Sequence, residues 1–367
     1  MTNYINVFHG KTVLITGHTG FKGSWLSLWL NHLGANVVGL ASGIPTSPSH
    51  FSAIGLEHLL DDHRIDITDV KLVKNLIDDV KPDFIFHLAA QALVRPSHKD
   101  PLQTMRTNAM GSANILDALK TVSKLTIAIM ITSDKVYDNV EWEWGYRETD
   151  RLGGKDPYSA SKGMAELAIR TYVDSFLNSV DSPVRVGIAR AGNVIGGGDW
   201  ASDRIVPDCV RAWANGDSVQ LRNPLATRPW QHVLEPLSGY LNLAAALFKD
   251  AKLHGESFNF GPPAQQNHSV GELVSAMSEY WDQVRWEDVS VDHGGPYESG
   301  LLKLNCDKAL HHLSWQATWD FEDTVRETAF WYKRFYENTS KSIADFSLSQ
   351  IAAYVEAAKL KGISWAQ

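Results

Sequence analysis

Cysteine is scarce in this 367-residue chain: only Cys209 and Cys306 occur, with neither CxxC nor zinc-ligand spacing. A disulfide framework is thereby excluded, and a reducing, cytoplasmic setting is expected. Positive charge is not in excess either. Lys and Arg total 34 against 42 Asp and Glu, a net charge of −8, and no basic cluster stands out. Nucleic acid is therefore not an expected partner, although a local patch still suits one anionic ligand. No apolar run approaches membrane-spanning length, and no signal peptide is read ahead of the first strand, so no membrane partner is expected. The 14 histidines are scattered, His311-His312 reads as a helix end, and no metal is expected. Repeats and low-complexity tracts are missing. What remains is an ordinary globular composition, 44% hydrophobic and 21% charged, long enough for two domains or one with an extension.

The first half alternates short β-branched and apolar runs with helical stretches. Residues 11–16, 36–40, 84–88, 125–132 and 184–189 read as buried strands. Residues 23–33, 69–80, 102–119 and 158–177 read as helices between them. Such alternation predicts a doubly wound parallel sheet, an α/β fold of Rossmann type. After residue 190 the pattern turns irregular, with helices expected at 204–215, 235–248, 270–281 and 321–336. The division is placed there: a nucleotide-binding domain over 1–190, and a smaller mixed α/β substrate-binding domain over 191–367. Helix 235–248 is expected to pack back on the sheet, and the amphipathic tail 343–360 on the body or on a partner subunit.

Val13-Leu-Ile-Thr-Gly17-His-Thr-Gly20-Phe-Lys-Gly23 runs from a strand through a glycine-patterned turn into a helix. Glycines let backbone approach a pyrophosphate, and the helix N-terminus offers amides and a favourable dipole to that anion. Gly17, Gly20, Phe21, Lys22 and Gly23 are thus candidate dinucleotide contacts. About 20 residues further on, where an acid often binds the ribose 2′-hydroxyl, stands Val37-Val-Gly-Leu-Ala41-Ser42 with no acid. With Lys22 in the loop to tolerate a 2′-phosphate, NAD and NADP both remain open at this point. Asp66, followed by Ile67, either accepts from an adenine amine or serves as a helix N-terminal carboxylate.

Asp156-Pro-Tyr158-Ser-Ala-Ser-Lys162 opens a helix whose Tyr158 and Lys162, four apart, share one face. A phenol titrates near pH 10, and a neighbouring ammonium is expected to lower that value toward working range. A plain surface pair has the same spacing. The strand at 125–132 ends in Thr132-Ser133-Asp134-Lys135-Val136-Tyr137-Asp138, which reads either as a polar turn or as a hydroxyl, an acid and a base placed side by side.

Taken together, the glycine loop, Ser133 and the Tyr158/Lys162 pair resemble the extended short-chain dehydrogenase/reductase superfamily. Asp134 followed by a charged residue before Val-Tyr is similar to its sugar-nucleotide 4,6-dehydratases, most of which have glutamate where Lys135 stands. Lys135, Trp142-Glu-Trp-Gly-Tyr146, Ala191-Gly-Asn193-Val-Ile-Gly-Gly-Gly-Asp-Trp200 and Arg228-Pro-Trp-Gln-His-Val-Leu-Glu-Pro236 resemble the branch that acts on CDP-D-glucose. That resemblance implies oxidation of the hexose at C4 with NAD as acceptor, loss of water across C5 and C6, and return of the hydride to C6. Ser133, Tyr158 and Lys162 would serve the oxidation, and Asp134 and Lys135 the elimination. It further implies that Leu88, Ala89, Ala90, Gln91 and Asn108 meet the cofactor, Tyr158 and Lys162 bordering it as well. Gln91, Ser133, Asn193 and Asn259 would face the substrate, although both asparagines also suit turns. Arg204 and Arg228 are candidates for its diphosphate, and Gly196–Gly198 is expected to form a mobile loop over the sugar. A homodimer or homotetramer through helices 102–119 and 158–177, and a role in bacterial 3,6-dideoxyhexose synthesis for surface polysaccharide, complete the implied picture. The rival readings are a sugar-nucleotide epimerase or decarboxylase, which leaves Asp134 and Lys135 idle, and a non-catalytic dinucleotide sensor, against which the intact Ser133, Tyr158 and Lys162 argue.

Overall fold

The computed structural model describes residues 4–179, 181–281, 284–289, 301–337 and 342–367. Within them seven strands form one parallel sheet: β1 (Thr12–Thr16), β2 (Asn36–Ala41), β3 (Asp61–Arg64), β4 (Phe84–His87), β5 (Thr126–Ile131), β6 (Val184–Ala191) and β7 (Ser257–Phe260). Their spatial order is β7-β6-β5-β4-β1-β2-β3. The helices that matter below are α1 (Phe21–His32), α2 (Val70–Val80), α3 (Gly111–Leu119), α4 (Pro157–Tyr172), α5 (Ile205–Ala214), α6 (Leu234–Lys249), α7 (Phe321–Tyr336) and α8 (Ile343–Leu360).

Successive residues of each central strand enter opposite cores, so the strands read as unbroken apolar runs. Val13, Ile15, Phe84, Phe86, Ile127 and Ile129 pack with Trp25 and Trp29 of α1 and Leu243 and Leu247 of α6. Leu14, Ile85, Ala128 and Met130 pack with Val73 and Ile77 of α2, Ile115 and Leu116 of α3 and Ile169 of α4.

Three features differ from the sequence reading. The 102–119 helix is interrupted: after Pro101–Met105 a π turn spans Arg106–Met110 before α3 begins. A second π turn, Val173–Leu177, ends the 158–177 stretch. Such wide turns rotate side chains off the regular helical face, which periodicity does not reveal. The third is β7, whose Ser-Phe-Asn-Phe is too short to show a strand period. β7 pairs with β6, and α6 lies across the same strands, so the sheet continues past residue 190, which itself lies within β6.

The tail packs on the body. Tyr354 of α8 donates to Glu235 Oε2 (2.7 Å), which also accepts from Thr318 N–H (2.9 Å), while Oε1 accepts from Trp319 N–H (2.6 Å). Burial pushes the Glu235 carboxyl up to about 7, against the pull of these donors. Among the described residues, no helix is long and apolar enough to cross a membrane.

Candidate active site

The strand order reverses at β1, which lies between β2 and β4, and ligands of open parallel sheets bind beyond the strand ends at such a point. Here the glycine loop follows β1 and Leu88–Gln91 follows β4. Gly17 takes φ +75°, and a Cβ there would lie 2.7 Å from Ala89 N; one at Gly23 would lie 2.1 Å from Gly17 O. No side chain caps α1 at Gly20, so its first-turn amides are left to an anion. Behind the loop Thr16 Oγ1 accepts from Ala89 N–H (3.1 Å) and meets His87 Nδ1 (2.8 Å), whose Nε2 meets Ser112 Oγ (3.0 Å). Burial holds the His87 imidazole down to about 3, so it braces the wall as a neutral ring.

A cleft of about 1310 Å³ runs from Asp66 and Ile67, past the glycine loop and Ser133–Lys135, to Arg228 and Trp230. Small-molecule pockets measure roughly 300–1,000 Å³, so the cleft is larger than a pocket for one small ligand. At its outer end Asp69 caps α2, while Asp66 Oδ1 accepts from Thr68 N–H (2.8 Å) and borders the cleft.

The catalytic candidates converge at the middle. Ser133 lies two residues beyond β5, and its hydroxyl donates to Asp134 Oδ1 (3.0 Å), accepts from Lys135 N–H (3.2 Å) and hydrogen-bonds the Tyr158 phenol. Asp156 caps α4 by accepting from Ser159 N–H (3.0 Å), and Pro157 supplies its first turn, setting Tyr158 and Lys162 on successive turns. Asp134, Ser133 and Lys162 are buried. Gly192 clears space beside the acid, since a Cβ there would lie 3.2 Å from Asp134 Oδ2.

The electrostatics depart from the sequence reading. Burial raises the Tyr158 phenol above its ordinary value; the Ser133 hydrogen bond and the Arg204 charge pull it down, and Asp134 pushes it up. The protein's own cations therefore do not outweigh desolvation. Burial also pushes Lys162 down to about 8, with the Glu166 charge acting in the opposite sense. Lys22 is pushed down to about 7, by burial first and Arg204 second, with Asp134, Lys162 and Asp199 also acting on it. The groups acting on it are those of the catalytic end of the cleft.

Arg204 donates to Asp199 Oδ2 (2.7 Å) and faces the Tyr158 end. Arg228 donates to Thr227 O (2.8 Å) from a two-stranded ladder with His268–Ser269 and borders the cleft, as does Asn193. Gln91 borders it too, although its amide is tied to Leu93 O (2.9 Å) and Thr104 Oγ1 (3.1 Å).

Three expectations are corrected. Asn108 is buried behind the wall, donating to Gln91 O (3.0 Å) and Ser161 Oγ (2.8 Å) and accepting from Gln91 N–H (2.8 Å); it braces the cofactor segment instead of lining the cleft. Asn259 is fully buried: it accepts from Tyr137 OH (2.7 Å) and donates to Tyr146 O (2.8 Å) and Asn305 O (3.1 Å), so its amide is used within the protein. Gly196–Gly198 is not a mobile loop. It is a buried shelf, where a Cβ at Gly197 would overlap Trp331 and one at Gly198 would lie 2.6 Å from His50 Cβ. Sequence reasoning also missed Asp199 as the Arg204 partner, although it lies inside the quoted Gly-Gly-Gly-Asp-Trp string.

The model of the GDP-mannose 4,6 dehydratase family matches residues 14–328. The chain belongs to that family. A CDP-glucose 4,6-dehydratase of Salmonella typhimurium (strain LT2) is 44% identical over 356 residues, 96% of this chain and 98% of the relative. A dTDP-glucose 4,6-dehydratase of Streptomyces antibioticus is 28% identical over 74% of this chain and 75% of its own. Among solved structures, a UDP-glucose-4-epimerase from Stenotrophomonas maltophila, with NAD and formylated UDP-arabinopyranose bound, superposes with a TM-score of 0.76 at 22% identity. It covers 90% of this chain and 100% of that one, and shows the common fold.

Proposed function

We propose that the protein dehydrates CDP-D-glucose to CDP-4-dehydro-6-deoxy-D-glucose with NAD as a recycled cofactor, in the cytoplasm. The observation that carries this reading is the presence of Asp134 and Lys135 beside Ser133, Tyr158 and Lys162 in one cleft. Oxidation alone needs only the last three; elimination needs one more acid and base. The 44% identity to a CDP-glucose 4,6-dehydratase supports the substrate.

The cradle that a Cβ would fill at Gly17 and Gly23, with the uncapped N-terminus of α1, fits a dinucleotide pyrophosphate. A dinucleotide held there would supply a hydride acceptor for C4 and a hydride donor for C6. Tyr158 accepts the C4 hydroxyl proton while Ser133 hydrogen-bonds that oxygen. Lys162 and Arg204 add positive charge around the phenol, which eases its deprotonation. The C4 ketone acidifies the C5 proton; Lys135 removes it, and Asp134 protonates the C6 hydroxyl, which leaves as water. Arg228 and Arg204 hold the diphosphate, with Arg204 at the sugar side.

The test is to incubate the protein with CDP-glucose and NAD⁺ and follow the alkali-induced ultraviolet absorbance of a 4-keto-6-deoxy sugar. Product should form over many turnovers without net NADH. Steady NADH release would make the protein a simple dehydrogenase, and equal rates with UDP- and dTDP-glucose would remove the CDP assignment.

The same reading includes a homodimer or homotetramer. Leu102 (78% exposed) on the Pro101–Met105 helix, Met110 on the π turn and Leu167 (58%) on α4 stand out, and large apolar side chains are costly to leave in water. Leu167→Glu should shift the protein from oligomer toward monomer in light scattering. A native protein that is already monomeric would end that part of the proposal.

A further inference from the structure

Beneath the catalytic face lies an ion pair that the reaction does not touch. Glu166 of α4 and Arg190 of β6 are both fully buried, Arg190 Nε donating to Glu166 Oε1 (2.6 Å) and Nη2 to Oε2. Such a pair is a weak argument for stability, because desolvation offsets most of its attraction. Its remaining hydrogen bonds suggest another role. Thr132, immediately before Ser133, donates to Glu166 Oε1 (2.8 Å). Arg190 Nη1 donates to Tyr137 OH (2.7 Å), which donates on to Asn259 Oδ1, and to Glu148 O (3.1 Å). The guanidinium also lies 4.9 Å from the Tyr137 ring centroid.

The ion pair therefore grips both ends of the segment that carries Ser133, Asp134 and Lys135. Glu166 also lies one turn beyond Lys162 on the helix that carries Tyr158. We infer that Glu166 and Arg190, acting through Thr132 and Tyr137, are positioning residues that hold the elimination pair in register with the oxidation pair. The inference rests on the dehydratase reading above. Reacting groups must sit within a few tenths of an ångström of their working geometry. Within the turn the backbone bonds are long, Val136 N–H to Ser133 O (3.3 Å) and Tyr137 N–H to Asp134 O (3.4 Å), while Thr132 N–H to Ala189 O (2.9 Å), Gly153 N–H to Val136 O (2.8 Å) and Asp138 N–H to Arg151 O (3.0 Å) anchor its ends. The buried pair adds side-chain ties at the same two ends, one to the Thr132 hydroxyl and one to the Tyr137 hydroxyl.

The test uses Tyr137→Phe, which removes one hydroxyl and keeps the ring, together with Thr132→Val and Thr132→Ser. Tyr137→Phe and Thr132→Val should each lower kcat on CDP-glucose about tenfold at near-constant KM. Reduced cofactor should build up on the enzyme during turnover, because oxidation outruns elimination. Amide hydrogen exchange should quicken across residues 132–137 while α4 keeps its protection. Thr132→Ser, which retains the hydroxyl, should restore native rate and exchange. A loss of kcat without bound reduced cofactor, unchanged exchange at 132–137, or failure of Thr132→Ser to rescue would each overturn the inference. If the native protein forms no 4-keto-6-deoxy sugar, the dehydratase reading itself fails and the assigned role falls with it. That result is distinct from a native enzyme that works and variants that behave like it.

Discussion

Tyr158→Phe is expected to lower turnover at least about a hundredfold, the scale on which a lost acid–base group acts, equivalent to roughly 2.7 kcal/mol in the barrier. The ring keeps its place on α4, so folding and nucleotide binding should persist; only the oxygen hydrogen-bonded to Ser133 is gone. Among the described residues of the cleft the other phenol is that of Tyr137, and it is tied to Asn259 and Arg190 within the protein. Single-turnover mixing should show no reduced cofactor, because the block falls at the first proton transfer. Near-normal turnover would mean that the tyrosine–lysine spacing is coincidental.

Lys135→Met should give the opposite signature. The substitution keeps the length of the side chain and removes the amine, so C4 can be oxidised but the C5 proton has no acceptor. Mixing the variant, NAD⁺ and CDP-glucose should produce reduced cofactor that stays on the protein, with turnover down roughly a hundredfold or more. Solvent deuterium should not enter C5. Asp134→Asn should also permit oxidation and stall loss of the C6 hydroxyl, its amide being too weak an acid. Normal turnover by both variants would return Thr132–Asp138 to a polar turn and favour the epimerase reading.

What was legible in the sequence was set by short-range physics. The central strands showed as apolar runs because each is covered on both faces, whereas the edge strand β3, Asp-Asp-His-Arg, has no such run. The glycine loop showed because Gly17, Gly20 and Gly23 answer to backbone contacts within a few residues or just beyond β4. Tyr158 and Lys162 showed because a helix brings every fourth residue to one face. Ser133, Asp134 and Lys135 showed because a strand end exposes adjacent side chains to one cleft.

Only the tertiary structure decided the rest. Asn259 meets Tyr137 across 122 residues of chain, so whether its amide faced a substrate or the protein interior was not written in its neighbours. The shelf at Gly196–Gly198 looked like a mobile loop until Trp331 and His50, from distant elements, closed on it. Lys22 reads as a phosphate ligand from its place in the glycine loop. Its surroundings at the catalytic end, with Arg204, Asp134, Lys162 and Asp199, come from three other segments. The Tyr158 phenol turned the same way: spacing announces a lysine on its helix face, but burial, a property of the whole fold, raises the phenol against the pull of Ser133 and Arg204. Periodicity and local hydrogen bonding are sums over near neighbours, whereas desolvation and buried polar pairing depend on which remote segments fill the same space.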